Sequence, residues 1–307
     1  MKISFPIPLL FIAMGYKIGA IVKGEESPVR EISAERITEA VARLCVEANC
    51  HLPGDVKACI EQCRMEEAWP QAEEILDRIM ENYRIAHEEN CPICQDTGVA
   101  CVFLKIGQDV HIDGDLTEAV NAGVRRGYGE GFLRKSVVRD PLRRENTGDN
   151  TPAMLYIELV AGDQIEITVA PKGFGSENMS AVKMLRPSDG VEGVKNFVVE
   201  TVKHAGPNPC PPIVVGVGIG GTFDKAAYLA KKALIRPLDS SHTDPYYEAL
   251  EQELLEKINA LGIGPQGFGG KTTALKVNIE TFPTHIAGLP VAVNINCHVT
   301  RHQTEVL

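Results

Sequence analysis

Cys91-Pro-Ile-Cys-Gln-Asp-Thr-Gly98 places two thiols, an amide and a carboxylate within one short segment. Polar groups gathered this closely between a proline and a glycine are typical of a functional loop rather than of a packed core. Thiolates are the ligands that soft metal centres prefer. Because one short loop cannot surround such a centre, we expect further ligands from other parts of the chain.

Two isolated cysteines downstream lie in similarly constrained segments. Cys210 lies within Pro207-Asn-Pro-Cys-Pro-Pro212, and Cys297 lies within Asn294-Ile-Asn-Cys-His-Val-Thr-Arg-His302. We predict that these two segments and the first cysteine loop converge on one iron-sulfur cluster. Three thiolates on a cubane leave one iron open, and an open iron can act as a Lewis acid on a hydroxyl or carboxylate. The pattern therefore favours catalysis over electron transfer.

The composition limits the classes of protein that this chain can represent. Of its 307 residues, 44% are hydrophobic and 23% are charged, as in a soluble enzyme of one large or two smaller domains. A net charge of -10 argues against nucleic acid or an anionic membrane as a partner, since either requires a basic face. Nine cysteines without dense spacing indicate reduced thiols and a cytoplasmic protein. A small anionic substrate is compatible with this composition, because a few arginines can locally outweigh the overall charge.

The first residues superficially resemble a signal peptide, with Lys2 ahead of the apolar run from Phe5 to Met14. Prolines, Gly15 and Lys17 interrupt this run, and it is shorter than the roughly 20 apolar residues of a membrane span. We therefore expect residues 1–28 to be a flexible extension or a misassigned start. The folded domain is expected to comprise residues 29–307.

Apolar periodicity and capping residues predict the secondary structure of most of the chain. Three helices precede the cysteine loop, one capped by Ser33, one capped by Asp55 and one from Ala72 to His87. Met154–Val160 and Gln164–Ala170 are predicted to form a β-hairpin. Further helices are predicted at 117–126, 191–204, 224–234 and 245–261, and further strands at 99–106, 213–217, 273–281 and 291–295. This order predicts a mixed α/β (α+β) fold, with N-terminal helices followed by a mixed β-sheet with helices.

Two features allow both a structural and a functional interpretation. Cys59 and Cys63 could ligate a metal together, but they share a helical stripe with Val56 and Ile60, so we predict that they are buried as small hydrophobes. The segment Lys172-Gly-Phe-Gly-Ser-Glu-Asn178 is either an anion-binding nest of backbone amides or a simple turn.

Other motifs suggest rival functions. Gly216-Val-Gly-Ile-Gly-Gly221 satisfies the dinucleotide fingerprint G-x-G-x-x-G, and Asp239 follows about 20 residues later. Cys91 and Cys94 have the spacing of a thiol redox pair, although a strand rather than a helix is predicted to follow them. A P-loop is excluded, because Pro265 occupies the position of its first glycine. A nucleotide-binding or thiol-redox module therefore stays as an alternative, as does a mixed zinc site with His285, His298 and His302.

Several segments together resemble one family, the alpha subunits of class I iron-sulfur hydro-lyases, which include two-subunit fumarate hydratase and L(+)-tartrate dehydratase. The resemblance extends from Val29 to the C-terminus. It rests on Cys94-Gln-Asp-Thr-Gly98, Lys172-Gly-Phe-Gly-Ser-Glu-Asn178, Cys210-Pro-Pro212, Gly220-Gly-Thr222, Gly267-Phe-Gly-Gly-Lys-Thr272, and His285 twelve residues before Cys297.

This resemblance implies a [4Fe-4S] cluster with one open iron and three protein ligands, Cys94, Cys210 and Cys297. It also implies that five residues belong to the substrate pocket: Gln95, Asp96, Arg134, Gly173 and His285. Of these, Asp96 and His285 are implied to be catalytic. The activity implied first is fumarate hydratase, which interconverts fumarate and L-malate in the tricarboxylic acid cycle. The alternative is L(+)-tartrate dehydratase. A separate beta subunit is expected to complete the active site in a heterodimer or heterotetramer.

Two of these residues can be given chemical roles. A dianionic substrate entering an acidic protein needs local positive charge, and the guanidinium of Arg134 offers a bidentate fork for a carboxylate. Asp96 lies two residues from Cys94, so we expect it to supply the proton with which the leaving hydroxyl departs as water. The alternative role for Asp96 is to cap the turn formed by Gln95 to Thr97.

Overall fold

The computed structural model describes residues 29–307, so the expectation for residues 1–28 lies outside it. Its helices are α1 (Ala34–Cys50), α2 (Gly54–Glu66), α3 (Pro70–Glu89), α4 (Leu116–Glu130), α5 (Phe174–Glu177), α6 (Gly190–Ala205), α7 (Phe223–Ala233) and α8 (Pro245–Asn259). Its strands are β1 (Arg30–Ser33), β2 (Val99–Gly107), β3 (Val110–Asp113), β4 (Met154–Val160), β5 (Ile165–Lys172), β6 (Ala181–Leu185), β7 (Ile213–Gly220), β8 (Ala274–Phe282), β9 (Leu289–Asn296) and β10 (Gln303–Val306). This succession confirms the mixed α/β class.

The first sheet has the strand order β10-β5-β2-β4 and packs against α1 and α4. Strand β2 is buried at every position except Lys105, as expected for a central strand with a covered face on each side. Ser33 caps α1 as predicted, because its hydroxyl accepts a hydrogen bond from the Arg36 amide. The core between sheet and helices is aliphatic and includes Ile37, Val41, Leu44, Val102, Leu104, Val120, Val124 and Ile167.

The second sheet has the order β6-β9-β7-β8 and carries helices on both faces. Valines of α6 and leucines of α8 pack with Val215 and Val217 on one face, while α7 packs on the other. Gly216 and Gly218 permit this second contact: a Cβ added at either would lie 2.1 Å from a carbonyl oxygen of α7. Two glycines of the dinucleotide fingerprint therefore lie inside a strand and serve helix packing rather than a phosphate-binding turn.

A third cluster joins α2 and α3 to the cysteine loops. Leu76, Ile79 and Tyr83 of α3 are buried in the same cluster as Ile93 and Val299, which lie in two of these loops. Five cysteines are partly buried against this cluster: Cys59, Cys63, Cys91, Cys94 and Cys297. The prediction that Cys59 and Cys63 pack as small hydrophobes is consistent with this arrangement. The N-terminal helices thus form a platform under the cysteine loops.

The predicted hairpin between β4 and β5 is wrong, because β2 lies between the two strands. Strand β4 pairs with β2 in parallel and β5 pairs with β2 in antiparallel orientation. The connection from β4 to β5 passes over the end of β2, where a Cβ on Gly107 would lie 2.2 Å from the Gly162 carbonyl oxygen. Both strands have the composition of a hairpin, but a long-range partner separates them.

The predicted cap of α2 also differs in the structure. Helix α2 begins at Gly54 with Pro53 in the capping position, so Asp55 lies inside its first turn. The Asp55 carboxylate instead accepts a hydrogen bond of 2.7 Å from the Leu238 amide, far along the chain. Asp55 therefore fastens α2 to the segment after α7 rather than capping its own helix.

Candidate active site

The topology brings the three cysteine loops to one place. Cys210 lies three residues before β7 and Cys297 directly follows β9. These strands are antiparallel neighbours in which Val214 pairs with Asn296. Cys94 precedes β2 in the other sheet. The three cysteines line one cavity of about 80 Å³, together with Asp96, Gly173, Arg301 and neighbouring residues. The predicted convergence of the three loops is thus present in the fold, whereas their role as ligands stays a prediction.

The three thiols influence one another electrostatically. Burial raises the pKa of the Cys210 thiol, and Cys297 and Cys94 raise that pKa further. Burial also raises the pKa of Cys297, while the positive charges of Arg301 and Lys172 lower it. The Cys94 sulfur accepts a hydrogen bond of 3.4 Å from the Asp96 amide. Thiolates in this cavity would therefore repel one another unless a cationic group balanced their charge.

Two buried cations, Arg301 and Lys172, lie close enough to these thiols to lower the pKa of Cys297. Arg301 is 4% exposed; its Nη2 donates to the Asp96 carbonyl oxygen, while its Nε and Nη1 are buried without a hydrogen-bond partner among the described residues. Lys172 is 5% exposed and donates to the Ser176 hydroxyl at 2.8 Å; it shares the Glu177 carboxylate with Lys231, at 3.4 and 2.7 Å, so this group keeps one net positive charge. A cationic metal core bound by three thiolates can keep a net negative charge, which the free donors of Arg301 would help to balance. The donor set and its charge thus fit a thiolate-bound cluster.

The alternative of a zinc site is not supported within the described residues. Residues 29–307 contain no group of three or more histidine, cysteine, aspartate or glutamate side chains arranged to hold a single metal ion. His298 instead approaches the Cys210 carbonyl oxygen at 3.0 Å through its Nδ1. A cluster of several irons is larger than a single ion and holds its ligands farther apart, so this finding bears on zinc and not on a cluster.

A second cavity of about 520 Å³ adjoins the first, and Asp96 lines both. Arg134, Arg144, Ser136 and Asn178 contribute polar groups to its wall. The two arginines are exposed and form no ion pair with any described residue. The Thr97 hydroxyl donates to the Arg134 carbonyl oxygen at 3.0 Å, which ties the arginine segment to the cysteine loop. The second cavity therefore combines two free cations with an opening toward the thiols.

Asp96 is fixed by backbone hydrogen bonds. One carboxylate oxygen accepts from the Gly98 amide at 3.1 Å, and the other accepts from the Phe174 amide at 2.9 Å. A Cβ on Gly173 would lie 3.0 Å from the second oxygen, so glycine permits this close approach. The contact with Gly98 is the turn cap considered from the sequence. The amide of Phe174 is directed at Asp96, so the segment Lys172–Asn178 binds a carboxylate of this chain.

Gln95 and His285 lie outside both cavities. Gln95 is exposed on the cysteine loop. His285 lies in the loop between β8 and β9, at the opposite end of β9 from Cys297. Eight residues of extended chain correspond to about 26 Å, so within one chain His285 is far from the cysteines. His285 could contribute to the cavity lined by the cysteines only if it came from a second chain.

The sequence matches the family described as fumarate hydratase (Fumerase) over residues 38–306. The chain belongs to this family. This confirms the resemblance found in the sequence and supports neither a nucleotide-binding nor a thiol-redox module.

Relatives of this fumarate hydratase family member are named after a different enzyme, L(+)-tartrate dehydratase. A protein of Methanocaldococcus jannaschii is 48% identical over 273 residues, which cover 87% of this chain and 95% of that protein. It bears the name L(+)-tartrate dehydratase subunit alpha as a provisional assignment. The L(+)-tartrate dehydratase subunit alpha of an Escherichia coli strain is 34% identical over 278 residues, which cover 90% of this chain and 92% of that protein.

Three charged residues at the site were missed by sequence reasoning. Arg301 lies four residues after Cys297, Lys172 precedes the glycines of the segment Lys172–Asn178, and Arg144 lies in a basic stretch. Their only sequence signal is a cation beside a cysteine or glycine motif in an acidic chain.

Within the described residues, no helix is both long enough and apolar enough to cross a membrane.

Proposed function

We propose that residues 29–307 form one hydro-lyase alpha domain that dehydrates a small hydroxydicarboxylic acid, with L(+)-tartrate as the first candidate substrate. The observation that carries this proposal is the junction of the two cavities. Three cysteines from distant loops face one cavity, two free arginines face the other, and Asp96 lines both. Such an arrangement suits a metal centre that meets an anionic substrate.

Cys94, Cys210 and Cys297 would hold a [4Fe-4S] cluster, with Arg301 and Lys172 balancing its negative charge. When bound, the cluster supplies an open iron that acts as a Lewis acid on a substrate hydroxyl or carboxylate. Two of the other cysteines are less suited to this role. Cys45 and Cys101 are buried in the first sheet's core, where burial raises the pKa of each thiol.

The arginines of the second cavity would bind the substrate carboxylates. Arg134 offers its bidentate fork to one carboxylate next to the cysteine loop. The cavity extends as far as Arg144, which leaves space for a second carboxylate. Gly173 keeps the wall close to Asp96 by having no side chain. Gln95 and His285 line neither cavity, so we do not place them on the substrate within a single chain.

Asp96 would handle the proton of the leaving hydroxyl. Its two oxygens are oriented by the Gly98 and Phe174 amides, and its side chain faces the place where the cavities meet. A positioned acid contributes about 10²- to 10⁴-fold in rate. Asp96→Asn should therefore assemble the metal centre and bind substrate but lose turnover. Turnover close to that of the wild type with an intact centre would leave Asp96 only its capping role.

The choice between tartrate and fumarate rests on the relatives. The proteins at 48% and 34% identity bear the tartrate name, whereas the family as a whole bears the fumarate name. We therefore place tartrate ahead of fumarate, which reverses the order expected from the sequence. The relatives' name of subunit alpha supports a separate beta-type subunit, and reduced cysteines support a cytoplasmic enzyme.

The test is an anaerobic assay of the chain co-expressed with its beta-type subunit. Dehydration of L(+)-tartrate should be much faster than dehydration of L-malate, and the protein should contain iron and sulfide in equal amounts. Faster malate turnover would favour fumarate hydratase. Serine at Cys94, Cys210 or Cys297 should remove iron, whereas Cys101→Ser should not; the reverse pattern would contradict the ligand assignment. An iron-free wild-type chain would overturn the proposal.

A further inference from the structure

A protruding basic hairpin, which we define as residues 132–147, rims the second cavity. It contains five arginine or lysine residues and two acidic ones in a chain whose net charge is -10. Arg134 and Arg144 face the cavity, whereas Lys135, Arg139 and Arg143 are exposed around it. Positive charge is thus concentrated on one surface of an acidic protein.

Two large apolar side chains stand out on the same basic hairpin. Phe132 is 93% exposed and Leu142 is 91% exposed, the former two residues from Arg134 and the latter two residues from Arg144. Phe174 and Met154, which line the cavity itself, are 49% and 41% exposed. Apolar groups grouped around a cavity mouth and rimmed by charge are typical of a protein interaction site.

Backbone hydrogen bonds fix the turn that exposes Leu142. The Arg139 amide donates to the Glu145 carbonyl oxygen at 2.7 Å, and the Asp140 carboxylate accepts from the Leu142 and Arg143 amides at 2.9 and 2.6 Å. The Asn150 side chain accepts from the Ser136 amide at 2.7 Å and so fastens the base of the hairpin. Leu142 is therefore held at the tip of a structured turn, in a position that is ready for binding.

From these observations we infer that the basic hairpin is the docking surface for the beta-type subunit, which would meet it with an acidic rim around an apolar pocket. This inference rests on the proposed function, because it takes up the separate subunit suggested there. The hairpin supplies both the rim and two arginines of the cavity, so a protein seated on it covers the cavity mouth. Charge complementarity selects an acidic partner face, and exclusion of water strengthens the arginine contacts within the cavity.

The first test measures affinity between the chain and its beta-type subunit by titration of the purified proteins. Phe132→Ser combined with Leu142→Ser should raise the dissociation constant at least about tenfold, as expected for apolar anchors of an interface. Met65→Ser combined with Trp69→Ser is the matched control, since these side chains are 72% and 53% exposed in the segment between α2 and α3. The control should bind like the wild type, and all variants should melt like the wild type because the replaced side chains are exposed.

The second test concerns charge. Arg139→Glu combined with Arg143→Glu should slow association and flatten its dependence on salt, because rim charges act mainly on the association rate. Arg84→Glu combined with Lys203→Glu changes the net charge equally at exposed positions elsewhere and should have a much smaller effect.

The outcomes separate this inference from the function on which it rests. Unchanged affinity of the Phe132/Leu142 variant in an active complex would overturn the docking surface and leave the proposed function intact. Loss of self-association of the chain without loss of beta-subunit affinity would assign the surface to a second copy and equally overturn the inference. A wild-type chain that binds no beta-type subunit would overturn both.

Discussion

Replacing Arg301 with methionine should have opposite effects on the metal-free chain and on a chain that carries the proposed metal centre. Two donor atoms of the buried Arg301 side chain have no acceptor among the described residues, and its third nitrogen donates to the Asp96 carbonyl oxygen. In the metal-free chain this is a buried charge with incomplete compensation, which an apolar side chain of similar volume can replace without loss. In a chain that carries the proposed metal centre, the same charge would balance the thiolates.

The magnitude follows from these contacts. A buried donor without a partner costs about 1–3 kcal/mol, and a hydrogen bond from a charged group contributes about 1.5–3 kcal/mol. At the middle of these ranges, removing two unpartnered donors gains about 4 kcal/mol and losing one such bond costs about 2 kcal/mol, so the metal-free chain should be stabilised by about 2 kcal/mol. The same substitution should lower the iron content of the chain, since one of the two buried cations near the thiols is lost.

The assay is denaturant unfolding of the metal-free chain under anaerobic conditions, followed by iron and sulfide analysis after reconstitution. Arg236→Met serves as the control, because Arg236 pairs with the buried Glu251 and its loss leaves an uncompensated carboxylate, which costs about 3–5 kcal/mol. The reasoning is refuted if Arg301→Met destabilises the metal-free chain as Arg236→Met does. It is also refuted if Arg301→Met retains the iron content of the wild type.

The remaining predictions concern substrate binding, packing and pH. Arg134→Met should raise the KM for the dicarboxylate strongly with a smaller change in kcat, as steady-state kinetics would show, and unchanged kinetics would remove its role. Gly218→Ala should destabilise the chain by about 1–3 kcal/mol, because its Cβ would meet the Ala226 carbonyl oxygen at 2.1 Å; equal unfolding midpoints would contradict this. Burial lowers the pKa of His302, and burial followed by His87 lowers that of His51. Both are then protonated more readily in the unfolded chain, so stability is full above about pH 6.5 and falls below it. Unfolding curves of the metal-free chain that are identical between about pH 7.5 and 5.5 would contradict this sign.

Local sequence signals predicted most of the helices and central strands, because each has an apolar stripe or a β-branched run of its own. The short strands β1, β3, β6 and β10 were not predicted. Each has four or five residues, and the long-range partners that define it leave no local pattern. The same cause made the hairpin prediction wrong, since a turn between two suitable strands does not reveal that β2 lies between them.

The candidate site was predictable where a motif restricts the backbone and not where a single side chain reaches across the fold. Cys94 and Cys210 lie in segments constrained by proline or glycine, and Cys297 is an isolated cysteine in a polar segment, so their convergence could be proposed from the sequence. Arg301 contributes through one long side chain, and no local pattern marks its burial. His285 is a different case: twelve residues separate it from Cys297 in sequence, and most of them form an extended strand that carries the two apart, so its catalytic role stays a prediction.

The site is assembled from the ends of strands that belong to two different sheets, and this has a consequence for folding. The first sheet supplies Cys94 and Asp96 before β2 and Lys172 at the end of β5, while the second supplies Cys210 before β7 and Cys297 after β9. Arg301 connects the two by donating to the Asp96 carbonyl oxygen. A metal centre bound by all three cysteines would join the same two sheets by further bonds, and the free energy of binding such a centre is also free energy of folding. The contact between the sheets should therefore be the part of the chain that metal loading stabilises most.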